Sequence, residues 1–428
     1  MFPSFQLRFD ILLTICYSVL DVALSDPSKS ISSTLLDVDM EKSFYAAIRP
    51  KGLNKFYTYL LAAGTLVLLG LLALTSSAHV RSSKDHLFNS VLNETLGFQK
   101  IFVLNLRSRT NHRDAFSLAA SLTGFHVEYI DGVTDFDAEK ALPAHPAKGP
   151  AHANGDPLKA ANLGSWRAHM NAIRAIVEQN IASALIIEDD TDWDIRLKDQ
   201  LLDFAKGTRL LVQPIKGTED TFLDPTNPRK SQDDHYVDIY IDTSRERTLT
   251  PISSPYGDID RWDMLWMGHC GSGLPPADRD IPLGRVVIPN DQTVAELQHF
   301  HAGYGDRMTT YPNHTRLISH ARGTVCNLAY GVSLPGARKF IYDMGVHNMT
   351  SSTDTMLRQI CDGEQGRTRR SCLTVNPPLF NHHRNGPGHI PFTRNIRWST
   401  MLNLEKLVDG KSDYIDLWQD GMPLPKGV

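Results

Sequence analysis

The chain's plainest hydropathy signal is an apolar run that ends in acids, Ala184-Leu-Ile-Ile-Glu-Asp-Asp-Thr-Asp-Trp-Asp194. Four apolar residues in succession, with no polar alternation, predict a short strand buried on both faces, as in a parallel sheet. Upstream, Leu163, Trp166, Met170, Ile173 and Val177 recur at steps of three and four. That spacing predicts a helix with one buried stripe. Ser165 and His169 are four apart and share a face beside it. Apolar runs predict further strands at 101–106, 127–130, 262–267, 286–288, 329–333 and 373–376. A stripe of Ala115, Phe116, Ala119 and Leu122 predicts a helix between the first two. Pro335 suits the first turn of another, which turns Ala337, Phe340, Ile341 and Met344 inward. Residues 352–361 read as a capped helix stopped by Gly363. This βαβ rhythm predicts an α/β fold, with ligands expected at the carboxyl edge of the strands.

The flanks read differently. Residues 56–74 carry no charge and are rich in Leu, close to the ~20 residues that cross a bilayer core. Arg49, Lys51 and Lys55 precede the run, so its amino side is expected to be cytoplasmic. The competing reading is a buried core helix. Residues 1–55 are expected to be a disordered cytoplasmic segment. Residues 75–99 are expected to be a stem, 100–396 the folded domain, and 397–428 a tail without pattern. Within the domain, 142–157 reads as a loop and 203–260 as an irregular polar insertion. A net charge of −4 gives no reason to expect nucleic acid as a partner.

Cysteine usage bears on the compartment. Cys270, Cys326, Cys361 and Cys372 follow the apolar run. Four cysteines allow three pairings. Cys361 with Cys372 closes a short loop and is favoured, leaving Cys270 with Cys326; buried free thiols are the alternative. Asn93, Asn313 and Asn348 each head an Asn-x-Ser/Thr sequon.

The acids carry the candidate chemistry. Glu188, Asp189, Asp190, Asp192 and Asp194 fall within seven positions. Such a cluster is either a solvated acidic loop or a site for a hard divalent cation and a nucleotide diphosphate. Arg107, Arg109 and Arg113 follow the first strand and are either phosphate ligands or surface charges. His382 and His383 follow the last strand and are either cation ligands or solvated loop residues.

Three motifs in this order carry a resemblance: Ile101-Phe-Val-Leu-Asn-Leu106, the Gly164-to-His169 helix start, and Glu188-Asp189-Asp190. Trp262-Asp-Met-Leu-Trp-Met-Gly268 and Ala329-Tyr-Gly-Val-Ser-Leu-Pro-Gly-Ala-Arg338 agree with it. From about Lys100 to Arg384 the chain resembles glycosyltransferase family 25, which holds lipooligosaccharide and collagen galactosyltransferases. It departs from the family at Ala168, where Ser commonly precedes the helix His. The resemblance implies a mixed sheet with flanking helices of the nucleotide-sugar transferase (GT-A-like) type, preceded by the membrane helix. It implies a metal-dependent, inverting transfer of a hexose to a hydroxyl of a glycan or glycoprotein, with galactose from uridine diphosphate galactose expected. The cofactor is expected to be Mn²⁺ or Mg²⁺, on Asp190, Asp192 and His382. Donor-binding candidates are Arg109, Arg113, Ser165, His169, Glu188, Asp189 and Asp263. Related transferases place an Asp at the start of a helix near the acceptor, which makes Asp354 the candidate base; its other reading is a helix cap. The expected setting is the Golgi or endoplasmic reticulum membrane, with the domain lumenal. Two other classes stay open: a catalytically silent lumenal sugar-binding or scaffold protein, and a metal-dependent phosphoesterase.

Overall fold

The computed structural model describes residue 65, residues 86–135, residue 143, and residues 157–423 except 228–235, 245–246, 278–279, 301–309, 386–390 and 393–394. The expected membrane run and residues 1–55 lie outside the described residues, Thr65 apart. No helix among the described residues is long and apolar enough to cross a membrane. The chain divides into Met1–His79 and Val80–Val428, and the second unit is mixed α/β. Its strands are β1 (Lys100–Asn105), β2 (Glu128–Asp131), β3 (Ser183–Glu188), β4 (Thr191–Trp193), β5 (Asp238–Tyr240), β6 (Met264–Gly268), β7 (Gly271–Gly273), β8 (Arg285–Ile288), β9 (Arg316–His320), β10 (Arg322–Val325), β11 (Ala329–Ser333), β12 (Cys372–Asn376) and β13 (Phe380–His382). Its helices are α1 (Thr110–Leu122), α2 (Ala160–Glu178), α3 (Leu197–Val212), α4 (Ile241–Ser244), α5 (Leu334–Phe340), α6 (Thr353–Asp362) and α7 (Leu404–Val408).

The sheet runs β2-β1-β3-β11-β6-β12-β9-β8-β5, with β13 and β4 attached beside β6. β1, β2 and β3 are parallel, as are β6 and β12. β11 runs against both β3 and β6, and β9 against β12 and β8. The carboxyl ends of β1, β2, β3, β6 and β12 therefore share one edge. The strands alternate between two cores. Ile101, Val103, Leu185 and Ile187 face a cluster with Phe116, Trp193 and Phe204, on the side of α1 and α3. Phe102, Leu104, Ala184 and Ile186 face one with Trp166, Ile173, Phe340 and Met356, on the side of α2, α5 and α6. Both faces are buried, which is why the strands read as unbroken apolar runs.

The α2 stripe matches its period: Trp166, Met170, Ile173 and Ile176 are buried, and Leu163 and Val177 pack at its margin. Ser333 caps α5, accepting from the Gly336 amide at 3.1 Å, with Pro335 in the first turn. Past Phe340 that helix widens into a π-helical turn, Ile341–His347. Gly363 ends α6 at φ +69°, a conformation that favours glycine.

Two boundaries differ from expectation. The 203–260 insertion opens inside α3, because the Leu197, Leu201, Phe204 and Leu211 stripe carries a helix to Val212. The polar composition behind the irregular reading belongs to the residues after Pro214. The stem over 75–99 also ends early: Val91, Leu96 and Phe98 are buried, and Phe98 stacks on Tyr256 at 4.9 Å. Both disulfides exist, Cys361–Cys372 and Cys270–Cys326, each with Cα atoms 5.5 Å apart.

Candidate functional site

A cleft of about 340 Å³ opens where β1 and β3 end. The strand ends and βα turns supply its walls: Asn105 and Arg109 at and after the end of β1, Gly132 to Thr134 after β2, and Glu188 to Asp190 at and after the end of β3. The first turns of α2 supply Gly164, Ser165 and His169. Helix and loop approach closely here. A Cβ on Gly164 would stand 2.2 Å from the Val133 carbonyl oxygen, so only glycine lets α2 close this wall.

The acids, adjacent in sequence, take different partners. Asp189 is buried and accepts from Asn105 Nδ2 and Arg109, both at 2.7 Å. Burial pushes its carboxyl up, while the Asn105 hydrogen bond and then the Arg109 charge pull it down. Arg109 also lies 2.9 Å from the His112 ring. Its guanidinium is thus joined to Asp189, and the two charges leave a paired unit at the cleft wall.

Glu188 faces the cleft, a quarter exposed, with Oε1 3.1 Å from His169 Nε2. His169 is buried, and its Nδ1 lies 2.8 Å from the Tyr330 hydroxyl. Burial first, and then the Glu188 charge, raises the Tyr330 phenol well above its ordinary range, so it keeps its proton. Tyr330 thus meets one ring nitrogen of His169, Nδ1, and Glu188 meets the other, Nε2. Asn327 Nδ2 stands 2.9 Å from the same ring nitrogen. The backbone joins in: the Glu188 amide donates to the Leu328 carbonyl at 2.8 Å.

Asp190 is partly exposed, and its Oδ2 lies 3.6 Å from His382 Nδ1. β13 pairs with β4, setting His382 opposite Thr191. The His383 amide donates to the Asp190 carbonyl at 2.7 Å. Among the described residues the buried Nδ1 atoms of His382 and His383 make no hydrogen bond. An unsatisfied imidazole nitrogen facing a carboxylate is a mixed N/O donor pair that suits Mn²⁺ or a similar ion. His382 and the sulfurs of Cys270 and Cys326 also lie within 4.8 Å of one another. The sulfurs are bonded to each other, so they offer no thiolate.

Asp192 departs from expectation. It is fully buried, accepting from its own Trp193 amide at 2.8 Å, from the Met401 amide at 3.1 Å and from the Ser399 hydroxyl. Its carboxylate is turned into the protein, 3.7 Å from His383 Nδ1, and braces the turn. Asp194 is likewise buried and accepts from Arg196 and from the Trp398 amide; burial raises its carboxyl, against the Arg196 charge.

Other candidates sit apart. Arg113 lies over the Tyr129 ring at 4.2 Å, and Arg107 pairs with Asp131. Neither lines the cleft. Asp263 precedes β6 and so stands at the opposite edge of the sheet. It is buried, bonded to Lys339 Nζ at 2.6 Å and to the Ser371 amide at 3.0 Å. Its expected donor role is corrected to anchoring α5 and β12. Asp354, in the first turn of α6, accepts from Ser352 Oγ and the Thr355 amide, and through Oδ2 from the Cys326 amide. It therefore ties α6 to the Cys270–Cys326 bridge at the site edge. No sequence pattern marks Asn327 or Ser399 for the site, and the 329–338 motif that holds Tyr330 assigns it no role there. Asn327 and Tyr330 border or begin an apolar strand, and Ser399 lies in a stretch without period.

Compared with models of known protein families, the chain matches none.

Proposed function

We propose that the chain is a metal-dependent hexosyltransferase of the nucleotide-sugar (GT-A-like) type, moving galactose from uridine diphosphate galactose to a hydroxyl of a glycan or glycoprotein. The supporting observation is the cleft at the β1/β3 carboxyl edge, with the Glu188–His169 pair in its wall and Asp190 lining it 3.6 Å from His382, which stands behind the lining. Asp190 and His382 would hold Mn²⁺. When bound, the ion supplies positive charge against a leaving diphosphate. Asp189, tied to Asn105 and Arg109, keeps the turn in place. Ser165 and His169 line the donor side.

Transfer to a hydroxyl needs a base within hydrogen-bond reach of the acceptor. Glu188 fits this better than Asp354. It is in the cleft and backed by an imidazole, which can hold its carboxylate in one orientation as the acceptor proton arrives. Asp354 lies outside the cleft lining, with three donors on its two oxygens.

The test is a screen of nucleotide sugars for Mn²⁺-dependent donor hydrolysis and acceptor transfer, with the full chain in detergent. Galactose turnover that disappears on chelation and returns with Mn²⁺ is expected. Asp190→Ala and His382→Ala are each expected to weaken Mn²⁺ binding by at least about tenfold while leaving circular dichroism unchanged. Undiminished Mn²⁺ affinity in both would remove the cation assignment.

The two disulfides support an oxidising compartment, and with it a type II anchor at 56–74 and a lumenal domain in the Golgi or endoplasmic reticulum. Asn93 and Asn313 are exposed, each in a turn, whereas Asn348 is partly buried, with a buried, unsatisfied Oδ1 among the described residues. The expected outcome in a secretory host is glycans on Asn93 and Asn313 and none on Asn348. Endoglycosidase mobility shifts on the three Asn→Gln variants read this directly. A wild-type chain without glycans would sink the lumenal topology.

A further inference from the structure

We infer that residues 398–403 are a working part of the cation site, and that Ser399 is a positioning residue for it. The inference rests on the reading that Asp190 and His382 hold the ion. The expected tail is in fact a strap laid along the acidic turn. The Ile195 amide donates to the Trp398 carbonyl at 3.0 Å and the Thr400 amide to the Trp193 carbonyl at 2.9 Å, and Asp194 and Ser399 form an antiparallel bridge. Two acids of the turn are satisfied from the strap: Asp192 by Ser399 Oγ and the Met401 amide, and Asp194 by the Trp398 amide. Arg196 lies 3.8 Å over the Trp398 ring and fastens the same junction.

Ser399 is the central link. Its hydroxyl donates to Asp192 and accepts from the Leu402 amide at 2.9 Å, and its carbonyl accepts from Asn403 Nδ2 at 2.8 Å. The strap thereby fixes β4, and β4 fixes both ligand candidates. Asp190 directly precedes β4, and His382 is paired across from Thr191 in it. His383 closes the loop, through its amide to the Asp190 carbonyl and its ring beside Asp192. Outer partners of this kind orient the groups that touch the metal, and removing one typically costs ~10- to 100-fold in metal affinity. Here the partner comes from a segment far along the chain that does not line the cleft.

The test uses the full chain and Mn²⁺ alone as the probe. Ser399→Ala and Ser399→Thr are titrated by calorimetry at a temperature where circular dichroism shows both folded. Ser399→Ala is expected to bind Mn²⁺ at least about tenfold more weakly, and Ser399→Thr, which keeps the hydroxyl, close to wild type. A strap with only a structural role would lower the melting temperature and leave the affinity of the folded protein unchanged. That result would overturn the inference. Should Ser399→Ala not fold, amide exchange on the wild-type chain decides: Mn²⁺ is expected to slow exchange at Thr400 and Met401, and unchanged exchange at saturating Mn²⁺ would overturn it. A wild-type chain that binds no Mn²⁺ removes the cation reading first, and the inference with it.

Discussion

Glu188→Gln is expected to lower turnover by about 10²- to 10⁴-fold, the usual span for loss of a general base, with donor affinity nearly unchanged. The amide keeps the size of the side chain and can still meet His169, so folding is expected to be normal. Asp354→Asn is the companion measurement. Its carboxylate accepts from Ser352, Thr355 and Cys326, as a helix-start tether does. That change is expected to cost about 1 kcal/mol of stability and to leave the rate per folded molecule near normal. Thermal stability, uridine diphosphate affinity and turnover on one preparation of each variant separate the roles. Collapse of turnover in folded Asp354→Asn, with Glu188→Gln active, would reverse the assignment.

Asp192→Ala is expected to be the most destabilising change in the acidic turn, at about 3 kcal/mol or more. The carboxylate is fully buried and accepts from two amides and a hydroxyl. Its removal leaves these donors without an acceptor, at ~1–3 kcal/mol for each unsatisfied buried group. Asp190→Ala, at a partly exposed position, is expected to change stability far less. Chemical denaturation of the two variants side by side is the check. Equal midpoints for Asp192→Ala and wild type would return Asp192 to the candidate ligands.

Much of the fold is legible because burial writes a period into the sequence. The apolar runs of β1, β3 and β11 and the stripe of α2 each name their element and its inward residues. The cleft is legible too, since Asn105, Arg109, Glu188 and Asp190 end or follow a strand and Ser165 and His169 lie on the amino-terminal half of a striped helix. What separates one acid from the next is not. Asp189, Asp190, Asp192 and Asp194 look alike in sequence, yet one pairs with Arg109, one faces the open edge, and two are claimed by a strap 204 and 207 residues away. Backbone groups make most of the strap's bonds, and backbone groups leave no compositional trace. Asp263 fails for a related reason. An acid beside a short apolar run marks a strand end, and the run alone does not say which end lies at the cleft.

The reversed course of β11 bears on how freely this site could be rebuilt by insertion or drift. Sites at the exits of parallel strands are made of loops, which tolerate added residues because nothing downstream is pinned to them. Here the backing of one wall is an entrance. Asn327 and Leu328, which meet His169 and Glu188, lie between a bridged Cys326 and the first residue of a buried strand. A single inserted residue there would either slip β11 by one position, turning its inward side chains to the other face of the sheet, or pull against the disulfide. The turn after β1 is free of that double restraint. Lineages or libraries that alter this cleft would therefore vary around Leu106 to Arg109 and hold 326–328 constant in length.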